Sequence, residues 1–504
     1  MAKVYLIGAG PGDPGLLTLK GRDILSMADV VVYDYLAGKS LLAHCRPDAE
    51  LIYVGKKGGD HTMAQQDINA LLVAKAGEGK TIARLKGGDP YVFGRGAEEA
   101  EDLVAAGIEF EVVPGVTSAV AATAYAGIPL THRDYASSVS FITGHEDPTK
   151  PDSAHNWESL AKGTSTLVFF MGVKNLPMIT KELARAGMDA AKPAALVRWG
   201  TTCLQQTLVA EVGTIAQKAK EAGFKPPALL VVGDVVRLRE TLGWFEKRPL
   251  LGKGVVVTRA REQASELAVL LENQGACTIE FPTISITPLD DEGAAAGVSQ
   301  AGSFDWVVFT SVNGVKFFWK YLADQNLDTR ILGSCNVAAI GPATADALRE
   351  RGIRPDFVPH KYVAEHVVQG LLELGVKGKR VLIPRAEKAR EILPEELGRA
   401  GAEVRILPVY RTGLVQQSGE ELLAQLEEGT IQVITFTSSS TVENFFQLVE
   451  PEQLKPHLKQ GVKLACIGPV TGKTLEGFGF TADIQSPEYT IPGLVEAIVG
   501  ALKE

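Results

Sequence analysis

The chain has 504 residues, of which 45% are hydrophobic and 22% charged, with a formal net charge of −9. That length exceeds what one core serves and points to about three domains of an ordinary globular protein. The acidic balance disfavours a nucleic-acid partner, although local Arg and Lys can still hold an acidic small molecule, and no run of about 18 apolar residues marks a membrane span.

Strands are predicted at Val4–Gly8, Asp29–Tyr33, Thr81–Leu85, Thr166–Met171 and Ala228–Val232, with a helical pattern at Ala97–Ala106. Short β-rich runs alternating with helical stretches are the signature of α/β architecture. The first strand runs straight into a Gly/Pro/Asp turn, so it does not read as a signal peptide. Val112-Val113-Pro114-Gly115, a strand ending in a turn signal, divides the first half into lobes of about 1–113 and 114–245. The charged stretch Arg237–Gly254 ends in Pro and Gly before a fresh strand, Val255–Thr258. The main boundary is expected there, near Arg248-Pro249, with the second half at 250–504.

The second half repeats itself. Phe309-Thr310-Ser311 returns as Phe436-Thr437-Ser438, and Ile340-Gly341-Pro342-Ala343-Thr344 as Ile467-Gly468-Pro469-Val470-Thr471, both 127 residues on (436 − 309 and 467 − 340). Arg259-Ala260, Gly275-Ala276 and Pro282 return as Arg385-Ala386, Gly401-Ala402 and Pro408, each 126 later. Common Gly-Pro and Thr-Ser turns would not keep such an offset. Two related lobes are implied, too few copies and too long a period for a solenoid.

Cys45, Cys203, Cys277, Cys335 and Cys466 stand singly with no C-x-x-C pair. An odd, unclustered set argues for a reducing compartment, hence the cytoplasm, and against structural zinc. The eight histidines lack metal-ligand spacing.

Gly8-Ala9-Gly10-Pro11-Gly12-Asp13-Pro14 follows a strand and precedes a helical pattern near Thr18. Taken alone it competes as a dinucleotide loop, with Asp34 where a ribose-binding carboxylate would sit. Two details count against NAD: the spacing is G-x-G-x-G, and each of two prolines removes an amide donor a pyrophosphate would use. A dehydrogenase fused to a non-catalytic two-lobed ligand-binding module is the alternative reading.

The second glycine-rich loop, Leu85-Lys86-Gly87-Gly88-Asp89-Pro90-Tyr91-Val92-Phe93-Gly94-Arg95-Gly96, carries polar groups no turn requires. With Val54-Gly55-Lys56-Lys57, Val113-Pro114-Gly115-Val116-Thr117-Ser118-Ala119, Gly127-Ile128-Pro129-Leu130-Thr131-His132-Arg133, Phe170-Met171-Gly172, Arg198-Trp199-Gly200-Thr201 and Val231-Val232-Gly233-Asp234, it spans residues 1–245 in order. Together these segments resemble the tetrapyrrole methyltransferases, specifically the uroporphyrinogen-III C-methyltransferases. The resemblance implies S-adenosyl-L-methionine in a cleft between two α/β lobes, with S-adenosylhomocysteine as product. Pro11, Gly87, Gly88, Asp89, Val92, Thr117 and Ser118 would hold it from one side, and Met171, Gly200 and Ala228 from the second lobe. Asp34 and Lys56 match the family's proton acceptor and donor; without the likeness they read as a strand-end cap and a solvated charge. Arg95, grouped with the catalytic residues, and Glu98 and Arg133 match positions at the polycarboxylate substrate, where arginine forks are expected. A loop-anchoring salt bridge is the plainer account of Arg95. His132 reads as structural, and a homodimer through this half is the family expectation.

Thr258-Arg259-Ala260, Phe309–Gly314, Gly341–Thr344, Pro408-Val409-Tyr410, Phe436–Ser439 and Gly468–Thr471 resemble the uroporphyrinogen-III synthases over about residues 250–500. That family implies two flavodoxin-like α/β lobes, here about 250–284 with 411–504 and about 285–410. The site between them would use Thr310, Ser311, Thr344, Ser438, Ser439 and Thr471 on carboxylates, a use suited to hydroxyls at helix N-termini. Tyr410 matches the candidate proton donor, or else caps a linker strand. The combined expectation is an enzyme that cyclises hydroxymethylbilane to uroporphyrinogen III with inversion of ring D, then methylates it at C2 and C7 to precorrin-2, for sirohaem or cobalamin.

Overall fold

Four five-stranded sheets organise the computed structural model, which describes residues 3–55, 63–145, 155–259, 261–289, 292–360, 364–389, 391–415 and 418–503. The chain divides into two units, one of 1–254 with 270–278 and 499–504, the other of 255–269 with 279–498.

The first unit opens with a wholly parallel sheet of β1 (Lys3–Gly8), β2 (Val30–Tyr33), β3 (Glu50–Tyr53), β4 (Thr81–Lys86) and β5 (Phe110–Val113), in the order β3-β2-β4-β1-β5. Its strands are short β-branched runs covered on both faces, as parallel sheets require; Val4, Leu6, Val30, Val32 and Ile82 line one face and Ile7, Val31, Ala83 and Leu85 the other. Neighbours β4, β1 and β5 end side by side, so the loops after them meet at one edge, where open α/β sheets place their ligands. The second sheet is mixed: β6 (Val139–Thr143), β7 (Thr166–Phe170), β8 (Pro193–Arg198), β9 (Gln206–Glu211) and β10 (Ala228–Val232) run β6-β7-β10-β8-β9, with β10 antiparallel to both neighbours.

The stretch expected as a linker is packed into this unit. Phe245 and Leu250 are buried, Tyr125 meets the rings of Trp244 and Phe245 at 5.1 and 4.8 Å, and Arg248 covers both of the latter. The first unit runs on to Gly254, with apolar side chains of this stretch among its packed residues.

The cysteine reading is also corrected. Cys203 and Cys277, 74 residues apart and both in the first unit, form a disulfide, leaving Cys45, Cys335 and Cys466 free. Spacing along the chain cannot show a pair made by folding, so the lone-cysteine pattern is no argument for a reducing compartment.

The rest of the chain carries β11 (Gly254–Val257) and β12 (Cys277–Glu280), whose first residues still count with the first unit, then, all in the second unit, β13 (Ile284–Pro288), β14 (Trp306–Phe309), β15 (Asn336–Ala339), β16 (Arg380–Ala386), β17 (Glu403–Leu414), β18 (Ile431–Phe436), β19 (Lys463–Cys466) and β20 (Ile484–Gln485). They form two sheets, β12-β11-β18-β19-β20 and β13-β17-β16-β14-β15. The long β17 pairs parallel to β16 and antiparallel to β13, so Tyr410 lies opposite Ala386 on one side and Pro288 on the other. Each of four strand ends feeds a helix: α1 (Val312–Asp324) after β14, α2 (Pro342–Arg349) after β15, α3 (Ser439–Leu448) after β18 and α4 (Pro469–Gly477) after β19. Ser311 and Ser438 cap α1 and α3, while α2 and α4 start with proline, whose missing N–H costs nothing there.

Candidate active site

At the loop edge of the first sheet, backbones approach too closely for any side chain. A Cβ on Gly8 would lie 2.4 Å from the Cα and N of Gly115 and 2.7 Å from the Gly88 carbonyl oxygen. The Gly88 N–H donates to Gly10 O at 2.7 Å, and Ala9 N–H to Lys86 O at 2.7 Å, tying the first glycine-rich loop to the second. Asp89 fastens the third: its carboxylate accepts from Gly115 N at 3.0 Å and Tyr91 N at 2.8 Å. Asp89 is among the residues expected to hold the cofactor, and two of its acceptor sites here take loop backbone.

Loops of the second lobe close over this edge. Thr201 Oγ1 accepts from Asp13 N at 3.0 Å, and Tyr125 donates to Asp13 Oδ2 at 2.6 Å. Tyr35 meets Trp199 edge-on at 6.0 Å, Phe93 meets Phe170 at 4.9 Å, and Val92 packs on the second lobe's core. Gly200 sits where a Cβ would come within 2.2 Å of Ala122 Cβ, on the helix Ser118–Tyr125 that Thr117 opens. The loops that carry Pro11, Gly87, Gly88, Asp89 and Thr117-Ser118 therefore lie beside the loop of Gly200. Met171 follows β7, half exposed, and Ala228 begins β10 opposite Arg198.

Backbone strain concentrates in the same loops. Among the described residues, six non-glycines have positive φ, and Phe93, Arg95, Met171, Trp199 and Thr201 are five of them. Such conformations cost on the order of 1–3 kcal/mol each and gather at functional sites. Thr201, β-branched at φ 71°, is the most unfavourable.

Asp34 follows β2 directly and caps the short 3-10 helix Tyr35–Ala37, accepting from Leu36 N at 3.1 Å, which is the strand-end cap read from the sequence. Its other oxygen accepts from Arg84 at 3.3 Å. Lys56 lies outside the described residues. Arg95 makes a two-pronged pair with Glu98, 2.9 and 2.6 Å, with both side chains about half exposed. The pair pulls the Glu98 carboxyl below its usual range and keeps Arg95 charged. Arg133 is exposed on the turn closed by His132 and Ala136, where His132 accepts from Asp134 N, a structural role.

In the second unit the Ser311 and Tyr410 hydroxyls share a hydrogen bond at 3.2 Å, and the Tyr410 ring stacks on Phe317 at 5.5 Å. Ser311 also accepts from Gly314 N at 2.9 Å as the cap of α1. Ile340 N–H donates to Phe309 O, setting Thr310-Ser311 beside Gly341–Thr344; Ile467 N–H donates to Phe436 O and does the same for the repeat. Thr344 and Thr471 occupy matching places in α2 and α4, and both are buried. Ser438 is spent on its capping box with Thr441, and Ser439 accepts from Thr474 at 2.8 Å.

A separate cavity of about 810 Å³ in the first unit is lined by Pro193, Ala210, Thr214, Val236, Arg239 and Glu246, among others. Its central charges answer each other, Arg239 to Glu246 at 2.7 Å, and none of the strained loops reaches it, so the glycine-backed cleft is the better candidate.

Residues 3–216 match the family model for tetrapyrrole (corrin/porphyrin) methylases, and 265–496 that for uroporphyrinogen-III synthase HemD. Over 98% of its length the chain is 38% identical to the porphyrin biosynthesis protein HemD of Ruminiclostridium josui, covering 97% of that protein. The chain belongs to this fused family of tetrapyrrole methylases and uroporphyrinogen-III synthases. Its methylase half is 56% identical to an S-adenosyl-L-methionine-dependent uroporphyrinogen III methyltransferase of Methanosarcina barkeri, over 48% of this chain and 94% of that one. It is 40% identical to the uroporphyrin-III C-methyl transferase of Thermus thermophilus, solved with S-adenyl homocysteine, over 47% of this chain and all of that one, with a TM-score of 0.41. The methylase family match over residues 3–216 takes in the Gly8–Gly12 loop, and the dehydrogenase reading finds no support.

The methylase half also holds charged residues to which the sequence assigned no role. Arg84, Lys86 and Glu99 are buried, and Arg84 reaches Asp34. Their one sequence signal is two cations at alternate positions of a strand whose inner face should be apolar.

Proposed function

We propose that the chain converts hydroxymethylbilane to uroporphyrinogen III, inverting ring D, and methylates that product at C2 and C7 to precorrin-2. The observation that carries the methylation is the loop edge where Gly8, Gly88 and Gly115 pack backbone against backbone with no room for a Cβ. S-adenosylmethionine fits such a site: it is bulky, presents hydroxyls and an ammonium, and needs close backbone carbonyls more than amide donors, so the two prolines of the first loop do no harm. When bound it supplies the electrophilic methyl group. The chain's own task is in-line placement of the pyrrole carbon and removal of a proton.

In this reading Pro11, Gly87, Gly88, Val92, Thr117, Ser118, Met171, Gly200 and Ala228 line the cofactor cleft. Asp89 shapes it through the Gly115 and Tyr91 amides. Asp34 accepts the proton and Lys56 donates one; Arg95, Glu98 and Arg133 face the substrate's carboxylates. In the synthase half Thr310, Ser311, Thr344, Ser438, Ser439 and Thr471 hold carboxylates, and Tyr410, hydrogen-bonded to Ser311, donates a proton to the departing hydroxyl. We place the product on the sirohaem and cobalamin branch and the enzyme, as a homodimer through its methylase half, in the cytoplasm. Among the described residues no helix is long and apolar enough to cross a membrane.

The test is the purified chain with hydroxymethylbilane and methyl-labelled S-adenosylmethionine. Doubly labelled type-III product is expected, and its absence rejects the reading. Combining Thr344→Ala with Tyr410→Phe should drop type-III isomer to the spontaneous level; if wild-type also sits at that level, the second half is a binding module.

A further inference from the structure

Asp34 stands 30% exposed at the cleft, but what holds it is behind the sheet. Arg84 and Lys86, on the same side of β4, are each about 3% exposed. They converge on Glu99, fully buried in the helix Gly96–Ala105. One oxygen of Glu99 takes every donor: Lys86 Nζ at 2.6 Å, Gln65 Nε2 at 3.1 Å and Arg84 Nε at 3.2 Å. The other oxygen has no partner among the described residues. Arg84 spans the gap, with Nε on Glu99 and Nη2 on Asp34 Oδ2 at 3.3 Å, and Nη1 on the Leu85 carbonyl at 3.1 Å.

A buried ion cluster is poor value as a source of stability, because apolar side chains of similar volume commonly do as well or better. Its reach toward one partly exposed carboxylate gives it another use. We propose that Glu99 is a positioning residue for methyl transfer: its buried carboxylate fixes the Arg84 guanidinium, which in turn fixes the Asp34 carboxylate as proton acceptor. This rests on reading Asp34 as the acceptor.

The surrounding charges fit. Burial, then Arg84, push the Lys86 ammonium below its ordinary range, with Glu99 and Asp34 opposing. On the helix of Glu99, Glu98 is engaged by Arg95, and Asp102 accepts from Asn69 at 2.7 Å. From the helix Gln65–Gly77 only the amides Gln65 and Asn69 enter the network. Tyr53, on the Asp34 side, is held neutral by burial and by Asp34. Glu99 is thus the anion shared by Arg84 and Lys86.

The experiment follows kcat for methylation of uroporphyrinogen III by the full chain from roughly pH 6 to 9, with S-adenosylhomocysteine affinity by calorimetry as a check on the cleft. Glu99→Gln should lower kcat about tenfold with that affinity kept within about twofold, and Glu99→Asp should restore part of the loss. Without Glu99 the charge and placement of Arg84 beside Asp34 change, so the acid limb of the Glu99→Gln profile should move. In an Asp34→Asn background Glu99→Gln should add no further loss. An unmoved acid limb, or equal losses in both backgrounds, overturns the positioning role. If Asp34→Asn alone keeps wild-type kcat and its acid limb, the reading of Asp34 fails instead, and this proposal with it. Should Glu99→Gln not fold, Arg84→Lys carries the test, because an ammonium cannot span both carboxylates. It should shift the acid limb upward, and an unchanged limb overturns the proposal.

Discussion

Thr201 Oγ1 accepts a hydrogen bond from the Asp13 amide at 3.0 Å, joining loops 188 residues apart across the methylase cleft. Thr201→Val removes that acceptor without changing shape. Losing one such bond costs about 1 kcal/mol, so the dissociation constant for S-adenosylhomocysteine should rise roughly fivefold by calorimetry. Unchanged affinity would mean that the link plays no part in shaping the site.

Gly8 tests this loop edge, because its missing Cβ would meet backbone, which cannot step aside. Gly8→Ala should destabilise the protein by about 1–3 kcal/mol and abolish cofactor binding. Gly77, where a Cβ finds open space at the end of its helix, provides the contrast. Gly77→Ala should be neutral or stabilise by up to about 1 kcal/mol. Thermal melts of the two variants decide it.

Tyr410→Phe keeps the ring stacked on Phe317 and loses only the hydroxyl shared with Ser311. The melting temperature should hold while the type-III isomer forms about 100-fold more slowly, as fits loss of a general acid. Chromatographic separation of the type I and type III products reads the outcome; normal type-III yield would assign Tyr410 to the linker strand alone.

Burial, then the Asp13 carboxylate, hold the Tyr125 phenol well above its ordinary value near 10. A raised folded value means that the unfolded chain releases this proton first as pH rises. Tyr125 therefore stabilises the fold fully below about pH 10 and loses that contribution as pH climbs toward the folded value. Tyr125→Phe should flatten the alkaline fall in stability, followed by denaturant midpoints from roughly pH 9 to 11. An identical slope would show the phenol to be irrelevant to it.

Burial pushes the Cys466 thiol up to about 12 and raises Cys45 and Cys335 as well. With so little thiolate near neutral pH, Cys466 should resist alkylation in the folded protein and react only on unfolding. Cys203 and Cys277, being paired, should add label only after reduction. Peptide mass spectrometry reads all five sites, and labelling of Cys203 without reductant would contradict the pairing.

The sequence alone determined the α/β class, the ordered methylase loops and the 127-residue repeat of the synthase half, because each is written in residues close together along the chain. Turn glycines, strand runs and helix caps act over a few residues, and the matched segments carry their chemistry at fixed spacing. What only the tertiary structure decided depends on which distant strands lie side by side. Arg84 and Lys86 look like surface charges until β4 is placed mid-sheet with Glu99 beneath it. Cys203 finds Cys277, and Trp244, Phe245 and Leu250 turn a charged linker into part of the first unit. Asp89 accepts from two loop amides, Tyr91 and Gly115, a fastening that no motif announces. Burial and proximity made those choices, and neither is set until the sheets have formed.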